Sequence, residues 1–459
     1  MKLINRRFGV ILTGVLILSA CSDTNIGQLT ADVAPTPRKT AVWLSAEGID
    51  AETADELAAV GVDQLVVRRG AILLSEGAPV VQLLPSPPVE GPIPTAVALD
   101  IPHPVSKDNV DAADAVWAAL EIDFGNSLPS EIILDFPELG EGTSEFVARL
   151  AGQSGLAVIP ILRVSQIETE LGQAVAMAAH RCIVPLFGPQ NDDLRGLDDL
   201  DTQPLSVRLV SLRDLGVRVR VAVSLRPRTE PTVDDWAEDI DALTDETAAE
   251  IKRASTLDRS FLTKRPLMWG GQSFGPGQTI AVAWVDAARL GLYLTESHRT
   301  ILPEVEGWDL VSLPPPGSNL GLDREELIGY LGGEGPGPKI EVRLERNGRN
   351  LTVRLANTSV FRSAITGYGN WIQVEIASGA LVATSRGSFD RVILGSMDRG
   401  EWRPNPSGGP DAVRFVETYV APGEELQTGS IRLPSSRSRV TVRWQIQLSD
   451  GSAVTGVAK

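Results

Sequence analysis

The chain has 459 residues, with 42 lysines and arginines against 59 aspartates and glutamates, which gives a formal net charge of −17. A balance this acidic argues against nucleic acid and anionic lipid as partners of the acidic part of the chain. Three histidines and two cysteines are too few for a metal cluster, so we predict no metal site and no cofactor. The length allows two or three hydrophobic cores.

Residues 1–20 have the features of a secretory signal peptide. Basic residues precede an apolar run from Phe8 to Leu18, which is too short to span a bilayer. The run ends in Leu18-Ser19-Ala20-Cys21, the cleavage pattern of bacterial lipoproteins, which implies diacylation of Cys21. The alternative is an ordinary signal peptide with a chance cysteine. Lipid chains on Cys21 would anchor the chain to a membrane of the bacterial cell envelope, and Ser22 indicates the outer membrane, facing the periplasm.

The rest of the chain divides by charge. Residues 21–39 are polar and contain proline, which predicts a tether. Residues 21–335 hold 23 basic and 48 acidic side chains, whereas residues 336–459 hold 16 and 11. This asymmetry predicts two domains. Once Cys21 is lipidated, Cys182 has no internal partner, and its apolar neighbours indicate a small buried side chain rather than a disulfide.

Residues 40–331 repeat an order of strand, helix, glycine and strand. Asp50 can cap a helix over Ala51–Val60, and similar helices are predicted at Thr143–Leu150 and Leu205–Leu215. The predicted strands are Ala41–Leu44, Val62–Arg68, Thr95–Ile101, Glu131–Phe136, Leu156–Leu162, Arg181–Phe187, Val217–Leu225 and Trp308–Leu313. Alternating strands and helices indicate parallel pairing. Eight strands predict an α/β fold with a closed (β/α)8 TIM-like barrel.

Two segments leave the number of barrel strands open, and a second architecture is possible for the parallel sheet. Thr279–Val285 reads either as a ninth strand or as the start of a helix, and the acidic segment Asp234–Ile251 reads as a helical elaboration. An open doubly wound sheet is the competing architecture. We favour the barrel because no glycine-rich phosphate loop follows the first strand.

The glycine- and proline-rich segment 332–338 predicts a linker, and the pattern changes after it. Apolar and polar residues then alternate, as in Val440–Leu448, and Asn347-Gly348 marks a turn. No helix signal interrupts these short strands, so residues 339–459 predict an antiparallel β-sandwich. Trp371, after a turn, is predicted to lie in its core.

Three parts of the barrel sequence resemble an uncharacterised family of bacterial lipoproteins, defined as a domain of unknown function. They are Val42-Trp43, Leu134-Asp135-Phe136, and Gly307-Trp308-Asp309-Leu310 with Leu313-Pro314-Pro315. The resemblance covers most of residues 40–335 and implies a glycoside-hydrolase-like TIM barrel. Relatives often carry a second acid directly after the Asp-Phe pair, where this chain has Pro137.

Asp135 and Glu138 are the candidate catalytic residues. They follow a buried strand, at the end of a barrel where barrel enzymes keep their active sites. Hydrolysis of a sugar needs two carboxyl groups, about 5–5.5 Å apart for retention or about 6.5–9.5 Å apart for inversion. Pro137 leaves their relative direction open. In the alternative interpretation Asp135 accepts backbone hydrogen bonds and Glu138 is solvated.

Further side chains at or near strand ends are candidates for substrate binding. These are Trp43, Glu47, Asp100, His103, Arg163, Arg226 and Trp308. Tryptophan can stack on sugar rings, and arginine can bind acidic groups. For each residue a structural role is the alternative: core packing for the tryptophans, and neutralisation of the rim acids for the arginines, including Arg68 and Arg69.

Gly271-Gln272-Ser273-Phe274-Gly275 matches the Gly-x-Ser-x-Gly motif of serine hydrolases, followed in the chain by Asp286 and His298. The motif needs a helix directly after the serine. Gly275-Pro276-Gly277 prevents such a helix, so a glycine-rich loop is the better interpretation.

Two functions from different classes remain open. One is a non-catalytic carbohydrate-binding or scaffolding module of the cell envelope, favoured by Pro137 and an aromatic content of 5%. The other is a glycoside hydrolase acting on an envelope or extracellular polysaccharide, favoured by the acids at the strand ends. We expect the first, with a polysaccharide as ligand in either case and the membrane as the partner of Cys21. The oligomeric state and the identity of the sugar stay open.

Overall fold

The computed structural model describes residues 39–44, 48–74, 79–85, 89, 91–125, 128–187, 203–230, 241–244, 248–254, 258–300, 305–317, 321–382, 384–404, 409–449 and 451–458. The predicted signal peptide, Cys21, the tether before Lys39, and Glu47 lie outside these residues. The described residues belong to one compact unit. No helix in the described ranges combines the length and the apolar character needed to cross a membrane.

The first half of the chain alternates strands with helices. Its elements are β1 (Thr40–Leu44), α1 (Ala51–Ala59), β2 (Gln64–Leu73), β3 (Val80–Leu83), β4 (Thr95–Asp100), a 3₁₀ helix (Lys107–Asn109), α2 (Ala112–Phe124), β5 (Glu131–Asp135), α3 (Thr143–Ser154), β6 (Ala157–Ile161), α4 (Val164–Ile167), α5 (Glu170–Ala179), β7 (Arg181–Phe187), α6 (Gln203–Asp214) and β8 (Arg218–Ser224).

The second half is mostly strands. It contains β9 (Arg228–Glu230), α7 (Asp241–Thr244), β10 (Ala249–Ala254), β11 (Asp258–Thr263), β12 (Leu267–Trp269), β13 (Gln272–Phe274), β14 (Thr279–Ala283), α8 (Ala287–Thr300), β15 (Val305–Val311) and α9 (Arg324–Leu331). Then follow β16 (Ile340–Asn347), β17 (Asn350–Asn357), β18 (Asn370–Ile376), β19 (Arg391–Asp398), β20 (Glu401–Pro404), β21 (Ala412–Glu417), β22 (Glu425–Gln427), β23 (Ile431–Arg432), β24 (Val440–Gln447) and β25 (Ala453–Ala458).

Eight parallel strands close into a barrel in the order β1, β2, β4, β5, β6, β7, β8 and β15, and β15 pairs with β1. The predicted closed barrel is therefore confirmed, and all eight of its strands fall where the sequence predicts them. The residues predicted to begin and end the helices also do so in the structure. Asp50 Oδ1 accepts the Thr53 N–H at 2.8 Å, and Gly155 ends α3 with a φ of 65°.

Alternate residues of the barrel strands belong to two separate cores, as the two-residue period of a strand requires. Residues such as Val42, Val67, Leu99 and Leu134 pack outwards against the helices. The other set fills the inside of the barrel and consists of Ala41, Trp43, Val66, Ala96, Ala98, Ile133, Ile159, Ile183 and Ala222. Because many of these inward side chains are alanines, the interior has room for a few large groups.

Two predictions for the segment between β8 and β15 need correction. Thr279–Ala283 is a strand, but it pairs antiparallel with β11 and β9 in a separate four-stranded sheet and does not enter the barrel. In the predicted helix Asp234–Ile251, the described residues form only the four-residue helix α7 and the start of β10. In β10, pairing with β11 stabilises a strand more than local propensity stabilises a helix.

The C-terminal part contains two antiparallel sheets, which confirms the change from parallel to antiparallel pairing. One sheet has the order β16-β17-β22, with β23 also pairing β17, and the other has the order β20-β19-β21-β18-β24-β25. Residues of both sheets, among them Val353 and Leu426 from the first and Val374 and Phe415 from the second, share one hydrophobic core. A sandwich arrangement and the boundary at residues 332–338 stay predictions.

The barrel and the C-terminal sheets touch through buried polar contacts. Arg362 donates from its backbone N–H and its Nε to Glu326 Oε1 of α9, at 3.0 and 2.8 Å. Both side chains are almost fully buried, and Phe361 belongs to the outer barrel core. Ser449 donates a hydrogen bond to Asp286, just before α8.

Candidate functional site

The carboxyl ends of β2, β4 and β5 carry three charged side chains that point into the mouth of the barrel. Arg68, Asp100 and Asp135 lie two residues beyond the interior residues Val66, Ala98 and Ile133, respectively, and therefore share their inward direction. The register places Asp100 directly opposite Asp135 on the neighbouring strand. Asp135, at the end of β5, therefore has the carboxylate of Asp100 beside it.

Two arginines neutralise these two acids. Arg68 Nη2 lies 2.5 Å from Asp100 Oδ1 and 3.6 Å from Asp135 Oδ2, so one guanidinium bridges both carboxylates. Arg163 Nη2 contacts the other oxygen of Asp135 at 3.3 Å. The group of Arg68, Asp100, Asp135 and Arg163, here called the rim cluster, has no net charge when all four residues are ionised.

The surroundings of Asp135 in the rim cluster shift the pKa of its carboxyl group. Burial raises the pKa of Asp135, and although Arg163 and Arg68 lower it, the nearby charge of Asp100 raises it further, so the net direction is upward. Only about a fifth of the Asp135 side chain is accessible, compared with about half of the Arg68 side chain. A ligand arriving from solvent therefore meets the guanidinium groups more readily than the Asp135 carboxylate.

The loop after β5 is fastened to the turn after β6. Arg163 Nη1 donates to the Phe136 carbonyl at 2.8 Å, and Gln166 Nε2 donates to the Phe136 and Pro137 carbonyls at 3.0 and 3.2 Å. Gln166 also accepts the Arg163 N–H at 2.8 Å. These bonds fix the backbone up to Pro137. Glu138 follows on the exposed surface and makes no hydrogen bond or ion pair within the described part of the chain.

The other predicted binding residues fall into two groups. Trp43 and Trp308 are 7% and 4% exposed, and the Trp308 ring packs in the outer core. Core packing, the alternative interpretation, accounts for Trp308, so it does not join the site. His103 and Arg226 are exposed on loops that follow β4 and β8. Glu47 lies outside the described residues.

A buried charge network inside the barrel was missed at the sequence level. Arg220 is 1% exposed and donates from Nε and Nη2 to Asp309 at 2.7 and 2.6 Å, and from Nη1 to Glu131 at 2.8 Å. Trp43 Nε1 donates to the same Asp309 at 2.8 Å. Burial lowers the pKa of Arg220, but Asp309 and Glu131 outweigh it and raise the pKa, so the guanidinium stays charged.

This network, here called the lumen network, reaches the amino-terminal end of the barrel. Lys39 Nζ lies 3.0 Å from Glu131 Oε1, and Arg181 Nη1 lies 3.4 Å from the same oxygen. The available signal was the alternation of the strands. Glu131 and Arg220 lie two residues before the interior residues Ile133 and Ala222, and Asp309 pairs with the interior residue Ala41. Residues at the amino-terminal end of a barrel generally serve stability rather than catalysis.

The serine-hydrolase motif does not form a nucleophile elbow. Ser273 lies in β13, which pairs with β12 across the turn at Gly270 and Gly271. A strand therefore follows the turn, where the motif requires a helix. Asp286 accepts hydrogen bonds from the Arg289 N–H and from Ser449, and the His298 side chain lies outside the described part.

No protein-family model matches the sequence, and no curated protein matches it significantly. Solved structures with a similar fold include the spore cortex-lytic enzyme SleL of Bacillus megaterium, at 12% identity and a TM-score of 0.42, covering 66% of this chain and 75% of that one. SleL of Bacillus cereus matches at 8% and 0.41, over 65% and 74% of the two chains. A GH30 endoxylanase of Clostridium papyrosolvens matches at 8% and 0.33, over 86% and 97%.

Proposed function

We propose that this chain is a lipid-anchored protein of the bacterial cell envelope whose barrel binds a carbohydrate at the rim cluster without hydrolysing it. The observation that carries the proposal is the pairing of both rim acids with arginines. A general acid or a nucleophile has to exchange protons or bonds with a sugar, whereas Asp100 and Asp135 are held in ion pairs with Arg68 and Arg163.

The rim cluster suits a polyhydroxylated ligand. Guanidinium groups present several hydrogen-bond donors in one plane, and the carboxylates beside them are acceptors. Adjacent hydroxyl groups of a sugar can donate to Asp100 while they accept from Arg68. Since Trp43 and Trp308 are buried, ring stacking by these two tryptophans contributes little, so hydrogen bonds supply most of the affinity.

One observation favours the alternative, a glycoside hydrolase with Asp135 and Glu138 as its two acids. Burial and the charge of Asp100 raise the pKa of Asp135, and a raised pKa is what a general acid needs near neutral pH. Against it, Pro137 separates the two acids and Glu138 stands in solvent. We therefore keep hydrolysis as the second candidate.

The test uses the full-length chain in detergent with purified cell-wall and exopolysaccharide preparations. Binding is measured by co-sedimentation and turnover by the release of reducing ends. We expect binding without release, and about tenfold weaker binding in Arg68→Gln, because this side chain donates charged hydrogen bonds to Asp100 and forms an ion pair with Asp135 at 3.6 Å. Arg218→Gln is the matched control, since this arginine starts β8 at the opposite end of the barrel and its side chain is 65% exposed; its binding should be unchanged.

Two results would change the assignment. Reducing ends released by the wild type and lost in the Asp135→Asn, Glu138→Gln double variant, with binding retained, would establish the hydrolase. Absence of both binding and turnover with every preparation would remove carbohydrate as the ligand. The anchor is tested separately, by incorporation of labelled palmitate into the wild type and its loss in Cys21→Ser.

A further inference from the structure

The six-stranded sheet of the C-terminal part has one apolar face and one aromatic and charged face. Ile372 and Val374 of β18 point into the shared core together with Phe415 of β21. Their neighbours point the other way, because side chains alternate along a strand. The outward residues, here called the outer face, are Trp371, Gln373 and Glu375 of β18, Arg414 of β21, Arg443 of β24 and Trp402 of β20. Trp371 is therefore outside the core, which corrects the sequence prediction.

An arginine is held between two indole rings at the centre of the outer face. The Arg414 guanidinium carbon lies 4.3 Å from the ring centroid of Trp371 and 4.1 Å from that of Trp402. Such cation–π contacts attract the guanidinium group to the faces of both rings. The sequence makes room for the arrangement at Gly395, where an added Cβ would come within 2.6 Å of Trp402 Nε1. The guanidinium plane is thereby fixed before any ligand binds.

A chain of hydrogen bonds continues from the stack across the sheet. Arg414 Nε donates to Gln373 Oε1 at 2.6 Å, Gln373 Nε2 donates to Glu375 Oε1 at 2.6 Å, and Arg443 Nε donates to the same oxygen at 2.9 Å. Arg443 thus neutralises Glu375. Arg414 makes no ion pair with a carboxylate among the described residues, so its positive charge is available to a ligand.

The outer face has a further aromatic group at its edge. The Tyr368 side chain is 65% exposed, and Arg391 lies over its ring with the guanidinium carbon 5.1 Å from the centroid. Arg391 and Trp371 face the same way, since both pair with Val416 from opposite sides. Aromatic rings and guanidinium groups therefore alternate along one side of the sheet.

We propose that the outer face binds an acidic polysaccharide. The apolar side of a sugar ring packs on an exposed aromatic plane such as Tyr368, and a sugar carboxylate or sulfate accepts paired hydrogen bonds from Arg414. Charge complementarity points to the anionic class, because residues 336–459 hold 16 basic and 11 acidic side chains. The densely charged backbone of a nucleic acid fits less well, since the outer face also carries Glu375 and the whole chain has a net charge of −17.

The experiment titrates the full-length chain in detergent with sodium polygalacturonate and with its fully methyl-esterified form, by calorimetry in 50 mM NaCl. The wild type should bind the acidic polymer at least tenfold more tightly than the neutral ester. Arg414→Gln should weaken binding about tenfold. Arg343→Gln, on the other sheet and with a side chain that is 76% exposed, removes the same charge and should leave the affinity within twofold.

Two more variants keep the test decisive. Tyr368→Ala removes an exposed side chain, which does not endanger folding, and should weaken binding at least threefold. Arg68→Gln, in the rim cluster, should leave polygalacturonate binding unchanged, which separates this site from the one proposed for the barrel. Equal binding of both polymers, equal losses in Arg414→Gln and Arg343→Gln, or equal affinity for duplex DNA or anionic vesicles would overturn the proposal.

Discussion

The lumen network should make Arg220 one of the most sensitive positions of the barrel. Arg220→Met removes the two hydrogen bonds to Asp309 and the one to Glu131 but keeps much of the volume of the side chain. Glu131 retains Lys39, 3.0 Å away. Asp309, which is 0% exposed, retains the Trp43 Nε1 donor. Removing one partner of a buried ion pair costs about 3–5 kcal/mol, and we expect a loss of that size in the free energy of unfolding.

The same reasoning predicts a pH dependence and a partial rescue. Burial raises the pKa of Asp309 above its ordinary value even with Arg220 present, and because Arg220 lowers this pKa, removing Arg220 raises it further. A raised folded-state pKa means that stability is lost as the pH rises through it, so the deficit of Arg220→Met should be smaller at pH 5 than at pH 8. Adding Asp309→Asn removes the buried charge but keeps an acceptor for Trp43, and should recover at least half of the loss.

Urea unfolding of the wild type and variants at the two pH values measures these differences. Arg149→Met is the matched control, because Arg149 also contacts two aspartates, Asp111 and Asp114, but on the surface with 38% of its side chain exposed. Surface ion pairs contribute about 0–1 kcal/mol. A loss below about 1 kcal/mol for Arg220→Met, equal at both pH values, would mean that water solvates Asp309 inside the barrel and would refute the argument.

Two further predictions concern burial and backbone packing. Burial, reinforced by Asp390, raises the pKa of Glu417 to about 9 from an ordinary 4.5, so the wild type should lose several kcal/mol of stability as the pH rises between these values. Glu417→Gln should abolish that slope in urea unfolding at pH 5 and pH 9; an unchanged slope contradicts the assignment. A Cβ on Gly307 would come within 2.1 Å of the Lys39 carbonyl oxygen, so Gly307→Ala should lower stability by about 1–3 kcal/mol. Gly152→Ala is the control, because Gly152 lies in a helix with open space around it, and this variant should raise the melting temperature. Equal melting temperatures for the two variants would exclude a clash between the added Cβ at residue 307 and the Lys39 carbonyl oxygen.

The barrel was predictable because its signals are local. Each strand is a short apolar run, and each helix is marked by a cap such as Asp50 or a terminating glycine such as Gly155. Their order alone implies parallel pairing and closure. Thr279–Ala283 has the same local signal, but its partners β9 and β11 are antiparallel. Which partner a strand chooses depends on residues distant in the chain, so no local pattern could separate it from the barrel.

The candidate site was predictable only in part, for a related reason. Strand ends identify Asp100 and Asp135 as rim residues, and register then makes them neighbours. The ion pairs that neutralise them depend on the side-chain directions of Arg68 and Arg163, which spacing does not determine. Trp371 shows the limit most clearly. The alternation of side chains along β18 predicts two faces of the sheet. Only the position of the other sheet determines which face packs into the core.

The uneven distribution of charge assigns different ligands to the two proposed sites. Residues 21–335, which include the barrel, carry 48 acidic and 23 basic side chains and would repel a polyanion, whereas residues 336–459 have an excess of basic side chains. A neutral sugar suits the rim cluster, whose four charges cancel, and an acidic polymer suits the outer face, where Arg414 lacks a carboxylate partner among the described residues. Salt screens the attraction between a charged ligand and a charged surface, and a neutral sugar carries no charge to be screened. Raising the ionic strength should therefore weaken binding at the outer face and leave binding at the rim cluster nearly constant. Salt dependence therefore tells which site a polysaccharide occupies.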